Sequence, residues 1–334
     1  MLRDDIVVYA LTSNKELVNE VCDYLNIKPG LIDVKHFADG EIIVEAKSSV
    51  RGKHVFIVQS TCKPVSEKLM ELLIAIDSLK RASAKEITII TPYFGYARQD
   101  RKARARQPIS ARLVADLLMV AGIDRIITID LHAQQIQGFF NIPTDDLSAI
   151  SLFAKHINDK GYYKHPDVVV VSPDHGGVTR ARSLASAIGA NLAIIDKRRP
   201  RPNEVQVSNI IGDIKDKICM ICDDICDTAG SLVASAKLLA ENGAKEIYVF
   251  VTHGIFSNDA LEKIEASPIK KMLITNTIPF GDKMKQRTSK VEVLSISKMI
   301  SKMIEAVSNN ESVAQIFDYY STESNKGILK NKKY

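Results

Sequence analysis

The sequence predicts an α/β protein built from two tandem copies of one fold, each a mainly parallel sheet flanked by helices. Three observations predict it. Strand-like apolar runs alternate along the chain with segments of helical periodicity, the pattern of strand–helix–strand crossovers. The order of these segments repeats: "AKEI" begins at Ala84 and again at Ala244, 160 positions on, and Val7 and Val168 open similar strands 161 positions apart. Acids, glycines and hydroxyl residues gather where strands should end, in "DLH", "SPDHGG" and "DDICDTAGS", and the carboxyl ends of parallel strands are where open α/β sheets bind ligands.

In the first half, "IVVYALTS" reads as a strand leading into the helix "KELVNEVCDYL". "VFIVQS" is a second strand, followed by a helix whose Leu69, Leu72, Leu73, Ile76 and Leu79 share one face, and then by the strand "SAKEITIIT". The second half repeats this order. "VVVVSPDHGG" precedes "TRARSLASAIG", and "KICMIC" precedes a helix with Leu232, Val233, Ala236, Leu239 and Ala240 on one face, then "GAKEIYVFV". The boundary falls near "NIPTDDLSAI", giving domains 1–150 and 151–317. The lysine-rich end, residues 318–334, lacks periodicity and is expected to be disordered.

Composition narrows the function. Apolar residues make up 46% and charged residues 25% of the 334 positions, a soluble globular profile. No run approaches the roughly 18 apolar residues of a membrane span, and the start lacks a secretory signal pattern, so a cytoplasmic location is expected and no membrane partner. The 45 basic and 40 acidic residues leave +5, a balance that suits anionic small molecules. Nucleic acid is disfavoured, because the basic clusters lie in two loops without interleaved aromatics. Five cysteines, an odd number, fit a reducing compartment, and Cys219, Cys222 and Cys226 read as buried structural thiols.

Neither "GxxxxGK[ST]" nor "GxGxxG" occurs. A different phosphate cradle is legible: "KICMIC" is a buried strand and helical periodicity starts after Gly230, so "DTAGS" turns into a helix amino terminus, where unpaired N–H groups and the positive dipole end converge. Ala229 and Gly230 let an anion approach the backbone, and Thr228 and Ser231 add hydroxyls. Asp223 and Asp224 would repel phosphate, so the ligand carries hydroxyls as well, as ribose 5-phosphate does. The plainer alternative is a strand-to-helix turn capped by Asp227. Asp174 and His132, at other strand ends, suit a divalent cation, although Mg2+ prefers oxygen. Two basic stretches complete the set: "IIDKRRPRP", with Lys197 and Arg199, and "YARQDRKARARQPIS", with four arginines and a lysine from Arg98 to Arg106 before a cap-like Ser110. The second reads as a loop that closes over a polyphosphate.

With these residues assembled, the chain resembles the ribose-phosphate pyrophosphokinases of the phosphate-activated bacterial and animal type. "FADGE", "YARQDRKAR", "DLHAQQIQGFF", "VSPDHGGVTRAR", "IIDKRRPRP" and "DDICDTAGS" occur in family order between about Ile6 and Phe317. The resemblance implies two phosphoribosyltransferase-like domains and an enzyme, in nucleotide biosynthesis, that transfers pyrophosphate from ATP to ribose 5-phosphate, with Mg2+ as cofactor. It implies ATP contacts from Phe37, Asp39, Gly40, Glu41, Arg98 and Gln99. Ribose 5-phosphate would lie on Asp223, Asp224, Asp227, Thr228, Ala229, Gly230, Ser231 and Arg199, with Lys197 catalytic beside Arg199 and Mg2+ at His132 and Asp174. It also implies a homo-oligomer, a hexamer in the family. Three positions depart from the family pattern. Ser231 replaces the usual threonine, Asn141 stands where many relatives carry an acid, and "LSISKM" replaces a glycine-containing loop, which loosens any inference of regulation by phosphate and ADP. A phosphoribosyltransferase and a non-catalytic regulatory subunit are the rival readings. The first needs neither two domain copies nor the "YARQDRKAR" loop, and the second tends to carry altered site residues.

Overall fold

The computed structural model describes residues 5–198, 207–314 and 316. Arg199 and the end segment 318–334 lie outside the described residues, as do the surroundings of the Lys197 side chain. Two compact units emerge. The first comprises residues up to Ser148 together with Thr277–Pro279 and Ser295–Ile316; the second comprises Ala149–Asn276 and Phe280–Leu294.

In the first unit β1 (Ile6–Ala10) leads into α1 (Lys15–Leu25), and the hairpin β2 (Ile32–His36) and β3 (Ile42–Ala46) follows. Then come β4 (His54–Val58), α2 (Val65–Arg81), β5 (Glu86–Thr91), α3 (Ser110–Ala121), β6 (Arg125–Ile129) and β7 (Thr144–Leu147). The sheet order is β1-β4-β5-β6-β7, parallel throughout. Parallel strands covered by crossover helices are buried on both faces, which is why β4 and β5 read as continuous apolar runs. Leu72, Ile76 and Leu79 of α2 and Val114 and Leu118 of α3 pack with Ile57, Ile87 and Ile89 in one core.

The second unit holds α4 (Ile150–Asp159), β8 (Val168–Ser172), α5 (Val178–Ile188), β9 (Asn191–Arg198), β10 (Val207–Ile211) and β11 (Ile218–Cys226). It continues with α6 (Gly230–Glu241), β12 (Glu246–Gly254), α7 (Ala260–Glu265), β13 (Lys271–Thr275), α8 (Asp282–Lys285) and β14 (Val291–Leu294). Its sheet runs β10-β9-β8-β11-β12-β13-β14, parallel except for β10. The five strands β8-β11-β12-β13-β14 therefore repeat the order of the first sheet.

The duplication extends to single hydrogen bonds. Lys85 N–H donates to Lys53 O at 2.8 Å, and Lys245 N–H donates to Lys217 O at 2.8 Å; Ala84 and Ala244 N–H donate to Leu79 O and Leu239 O at 3.1 and 3.0 Å. Each "AKEI" thus closes the same helix-to-strand turn.

The chain differs from two contiguous halves in one respect. The last helix, α9 (Ser297–Ser308), groups with the first unit and packs against α1. Its Met299, Ile300, Met303 and Ile304 are buried, opposite the buried face of α1 made by Leu17, Val18, Val21 and Leu25. The expected range 151–317 for the second domain is corrected accordingly: apolar periodicity shows that α9 has a face to bury, but not which sheet buries it.

Candidate active site

In the second unit β9, β8 and β11 are adjacent and parallel, so their carboxyl ends share one sheet edge. That edge carries Lys197 at the end of β9, the turn Pro173–Gly177 after β8, and Asp223 and Asp224 near the end of β11. Strand alternation aims neighbouring side chains at opposite faces, yet both acids are largely enclosed: their side chains are 19% and 7% exposed. Asp224 N–H donates to Asp223 Oδ1 at 2.9 Å. Arg180, from the first turn of α5, donates from Nη1 to Asp224 Oδ1 at 3.3 Å and stands 3.7 Å from Asp223 Oδ1. Burial and then the neighbouring Asp224 push the Asp223 carboxyl up to about 7, against the opposing pull of Arg180. Two close carboxyls titrate as a pair, not as independent groups.

The segment after β11 is a turn with an open helix end. Ala229 is the N-cap of α6, with φ 60° and no side-chain oxygen of its own. A non-glycine residue in the left-handed region costs about 1–2 kcal/mol, a strain that clusters at functional sites. Carbonyl anchors hold the turn in place: Ile255 and Phe256 N–H donate to Cys226 O at 2.9 and 3.2 Å, and Ser257 N–H donates to Asp227 O at 2.9 Å. Thr228, Gly230 and Ser231 are exposed around this helix end. A Cβ built on Gly230 would meet nothing nearer than Thr228 Oγ1 at 3.9 Å, so internal packing does not demand glycine there. Open space over the helix amino terminus suits an anion.

The first unit handles the equivalent place differently. After β4 the chain reads Gln59, Ser60 and Thr61 with no acid pair, and α2 starts behind Pro64. The fully buried Glu71 accepts from Thr12 N–H at 2.8 Å and Thr12 Oγ1 at 2.5 Å, while Lys68 Nζ donates to Thr12 Oγ1 at 2.5 Å. These hydrogen bonds tie the end of β1 to α2.

The remaining predicted residues distribute as follows. Phe37, Asp39, Gly40 and Glu41 form the exposed tip between β2 and β3, closed by Phe37 N–H to Glu41 O at 2.8 Å and Glu41 N–H to Asp39 Oδ1 at 3.1 Å. Gly40 has φ 95°, the left-handed region that favours glycine. Phe37 is 54% exposed, unusual for an aromatic ring. Arg98 and Gln99 are exposed after β5, and residues 101–108 are an exposed irregular loop. Ser110 is the first residue of α3 and not its cap, because its hydroxyl goes to Gln99 Oε1 at 2.6 Å. His132, exposed after β6, belongs to the first unit, and Asp174, exposed after β8, to the second. Asp174 Oδ1 accepts Gly177 N–H at 2.9 Å. Among the described residues no three acid, histidine or cysteine side chains form a metal cluster. The cysteines of β11 are buried.

The sequence reading places Arg180 and the histidine of "SPDHGG" among strand-end groups that could face a common crevice, without individual roles, and gives Asp196 none. Arg180 lies in the first turn of α5, and His175 Nδ1 stands 3.6 Å from the buried Asp196 Oδ1 on β9. The spacing of "DHGGVTR" carries a signal for Arg180 only once α5 is known to start at Val178, which turns that side chain toward the strand ends.

The described residues form a duplicated parallel α/β sheet, with an acid pair and an exposed helix end at one strand edge of the second unit. Residues 6–122 match the N-terminal domain of ribose phosphate pyrophosphokinase, and residues 197–318 match the phosphoribosyl synthetase-associated domain. The chain is 49% identical over 311 residues to ribose-phosphate pyrophosphokinase 1 of Listeria monocytogenes, covering 93% of this chain and 96% of that one. It is 50% identical to the ribose-phosphate pyrophosphokinase of Oceanobacillus iheyensis over the same shares. The crystal structure of phosphoribosylpyrophosphate synthetase from Mycobacterium smegmatis matches with a TM-score of 0.86 at 41% identity, covering 92% of this chain and 99% of that one. The chain belongs to the ribose-phosphate pyrophosphokinase family and is an enzyme of that type.

Proposed function

We propose that the protein transfers the pyrophosphoryl group of MgATP to the C1 hydroxyl of ribose 5-phosphate, giving phosphoribosyl pyrophosphate and AMP. The observation that carries this reading is the acid pair Asp223–Asp224 set beside the exposed amino terminus of α6. Two carboxylates accept hydrogen bonds from vicinal ribose hydroxyls, and Thr228, Ser231 and the backbone N–H groups from Ala229 onward receive the 5-phosphate. On this reading Phe37 lies on the adenine, with Asp39, Gly40, Glu41, Arg98 and Gln99 on the rest of ATP.

The C1 oxygen bonds to the β-phosphorus as the bond from that phosphorus to the bridging oxygen of AMP breaks. Negative charge accumulates on the transferred oxygens, and Lys197 and Arg199 are assigned to it. Preorganised cations in a water-poor site are the main source of such catalysis, with little covalent work for the protein. Mg2+ usually binds through one or two carboxylates plus substrate phosphates and keeps several waters. The exposed carboxylate of Asp174 fits that habit, with His132 the less usual nitrogen donor. When bound, the ion supplies charge neutralisation at the phosphates. A homo-oligomer and a cytoplasmic location belong to the same reading; no helix among the described residues is long and apolar enough to cross a membrane.

The test is direct. Purified protein with ribose 5-phosphate and MgATP should release AMP in step with phosphoribosyl pyrophosphate, and absence of AMP at every magnesium and phosphate concentration overturns the reading. Lys197→Ala should lower turnover by about 10²- to 10³-fold with a much smaller change in ATP binding; unchanged turnover removes Lys197 from the catalytic set.

A further inference from the structure

The acid pair presents an electrostatic problem that its own strand does not solve. Asp223 and Asp224 are adjacent, enclosed and of like charge, and burial disfavours ionising both. Hydroxyl groups of a sugar bind best to ionised carboxylates, which only accept hydrogen bonds. A protonated carboxyl offers a competing donor and loses acceptor capacity. The pair needs a cation held in place without the ligand.

Arg180 meets that requirement from a separate element. Its side chain is 18% exposed, and Nη1 reaches both acids, at 3.3 Å from Asp224 Oδ1 and 3.7 Å from Asp223 Oδ1. Its position is fixed by packing, since the next residue, Ala181, is buried along with Leu184, Ala185 and Ile188 on the same helix. Other titratable groups at this edge are Cys226 and Asp227 on the same segment, His253 on β12, Asp174 and His175 after β8, and Asp196 and Lys197 on β9. Burial pushes the Cys226 thiol up to about 12, so it adds no charge near neutral pH.

We infer that Arg180 is a positioning residue of the sugar site, spanning the Asp223–Asp224 pair so that both carboxyls stay oriented and able to accept ribose hydroxyls. The inference rests on the reading that the pair holds those hydroxyls. Arg180 itself acts through the acids and not on the transferred group, so its removal should affect sugar binding before turnover.

The experiment compares wild type with Arg180→Gln, Arg180→Lys, Asp224→Asn and the double variant Arg180→Gln/Asp224→Asn, each checked for folding by thermal melting. Arg180→Gln should raise the KM for ribose 5-phosphate about tenfold or more near neutral pH, the effect of about one unit of carboxyl shift, with a smaller change in kcat and in the KM for ATP. The defect should shrink as pH rises and the pair loses its proton. Arg180→Lys should recover part of the loss, and Arg180→Gln should cost less when added to Asp224→Asn than when added to wild type, because one acid no longer needs a counter-charge. A KM for Arg180→Gln equal to wild type, or a defect that is the same at every pH and equally large on the Asp224→Asn background, overturns the inference. Carbon-13 titration of the carboxyls in the ligand-free protein gives an independent readout: the pair's apparent pKa should rise by about one unit when Arg180 is replaced, and no rise overturns the inference. If wild type fails to bind ribose 5-phosphate the site reading falls, while the titration still decides whether Arg180 governs the pair. Should Arg180→Gln fail to fold, Arg180→Lys and the double variant carry the same comparisons.

Discussion

Asp223 is held above its ordinary carboxyl range by burial first and by Asp224 second, and this has a consequence for stability. Between the ordinary value of 3.8 and the folded value of about 7, the native protein keeps a proton that the unfolded chain has lost. Unfolding therefore releases that proton, and stability falls as pH rises through this window. Asp223→Asn removes the effect. The variant should melt higher than wild type at about pH 8, by the equivalent of roughly 2–4 kcal/mol, with little gain at about pH 4. Melting curves at the two pH values check this, and an equal gain at both would mean that relief of burial is not the cause. The same substitution should weaken ribose 5-phosphate binding, so that stability and function oppose each other at one residue.

At the scale of elements, the amino terminus of α6 has room at Gly230, where a Cβ would meet nothing nearer than Thr228 Oγ1 at 3.9 Å among the described residues. Gly230→Val adds bulk into open space, so the fold should survive while the backbone becomes less accessible to phosphate. The KM for ribose 5-phosphate should rise about tenfold or more, with the melting temperature changed by only a few degrees. An unchanged KM in a folded variant would place the phosphate elsewhere. The loop 101–108 is a second element without internal structure of its own: exposed throughout, with Arg104 N–H donating to Gln107 Oε1 at 2.9 Å and Gln135 Nε2 donating to Asp100 Oδ2 at 2.8 Å beside it. Like charges along it repel until an anion arrives, so amide exchange there should slow when MgATP is added. Replacing "RKARAR" with a Gly-Ser link should depress turnover strongly while ATP is partly retained. Full activity with altered response to phosphate or ADP would make the loop a regulatory contact.

Across the whole molecule, duplication gives one chain two similar sheets whose strand ends carry different residues. The second copy has the acids Asp223 and Asp224 near the end of β11, while the first has Gln59, Ser60 and Thr61 after β4 and links Thr12 to Glu71 and Lys68 on α2. Chain order and packing part company at α9, where Ser295 Oγ also donates to Glu20 Oε2 on α1. Ile300→Ala, at a fully buried position of α9, should cost about 2–5 kcal/mol. The loss should appear as faster amide exchange in α1, some 280 positions earlier in the chain, and not in α6. Faster exchange confined to α6 would contradict the grouping of α9 with the first unit.

The sequence by itself determined the α/β class and the repeat, and it proposed the chemistry of the run from Asp223 to Ser231, because these are local. Apolar runs in parallel strands, helix faces such as Leu72, Ile76 and Leu79, and the run from Asp223 to Ser231 carry their information in short spacings. Only tertiary structure decided what depends on distant partners. It set the N-cap position of α6 at Ala229, sent the Ser110 hydroxyl to Gln99, placed α9 on α1, and brought Arg180 to the acid pair across 43 positions of sequence. Periodicity shows that a face must be buried and residue type shows what chemistry a side chain can do. Neither fixes the partner, because a contact between residues far apart in the chain is set by the packing of whole elements.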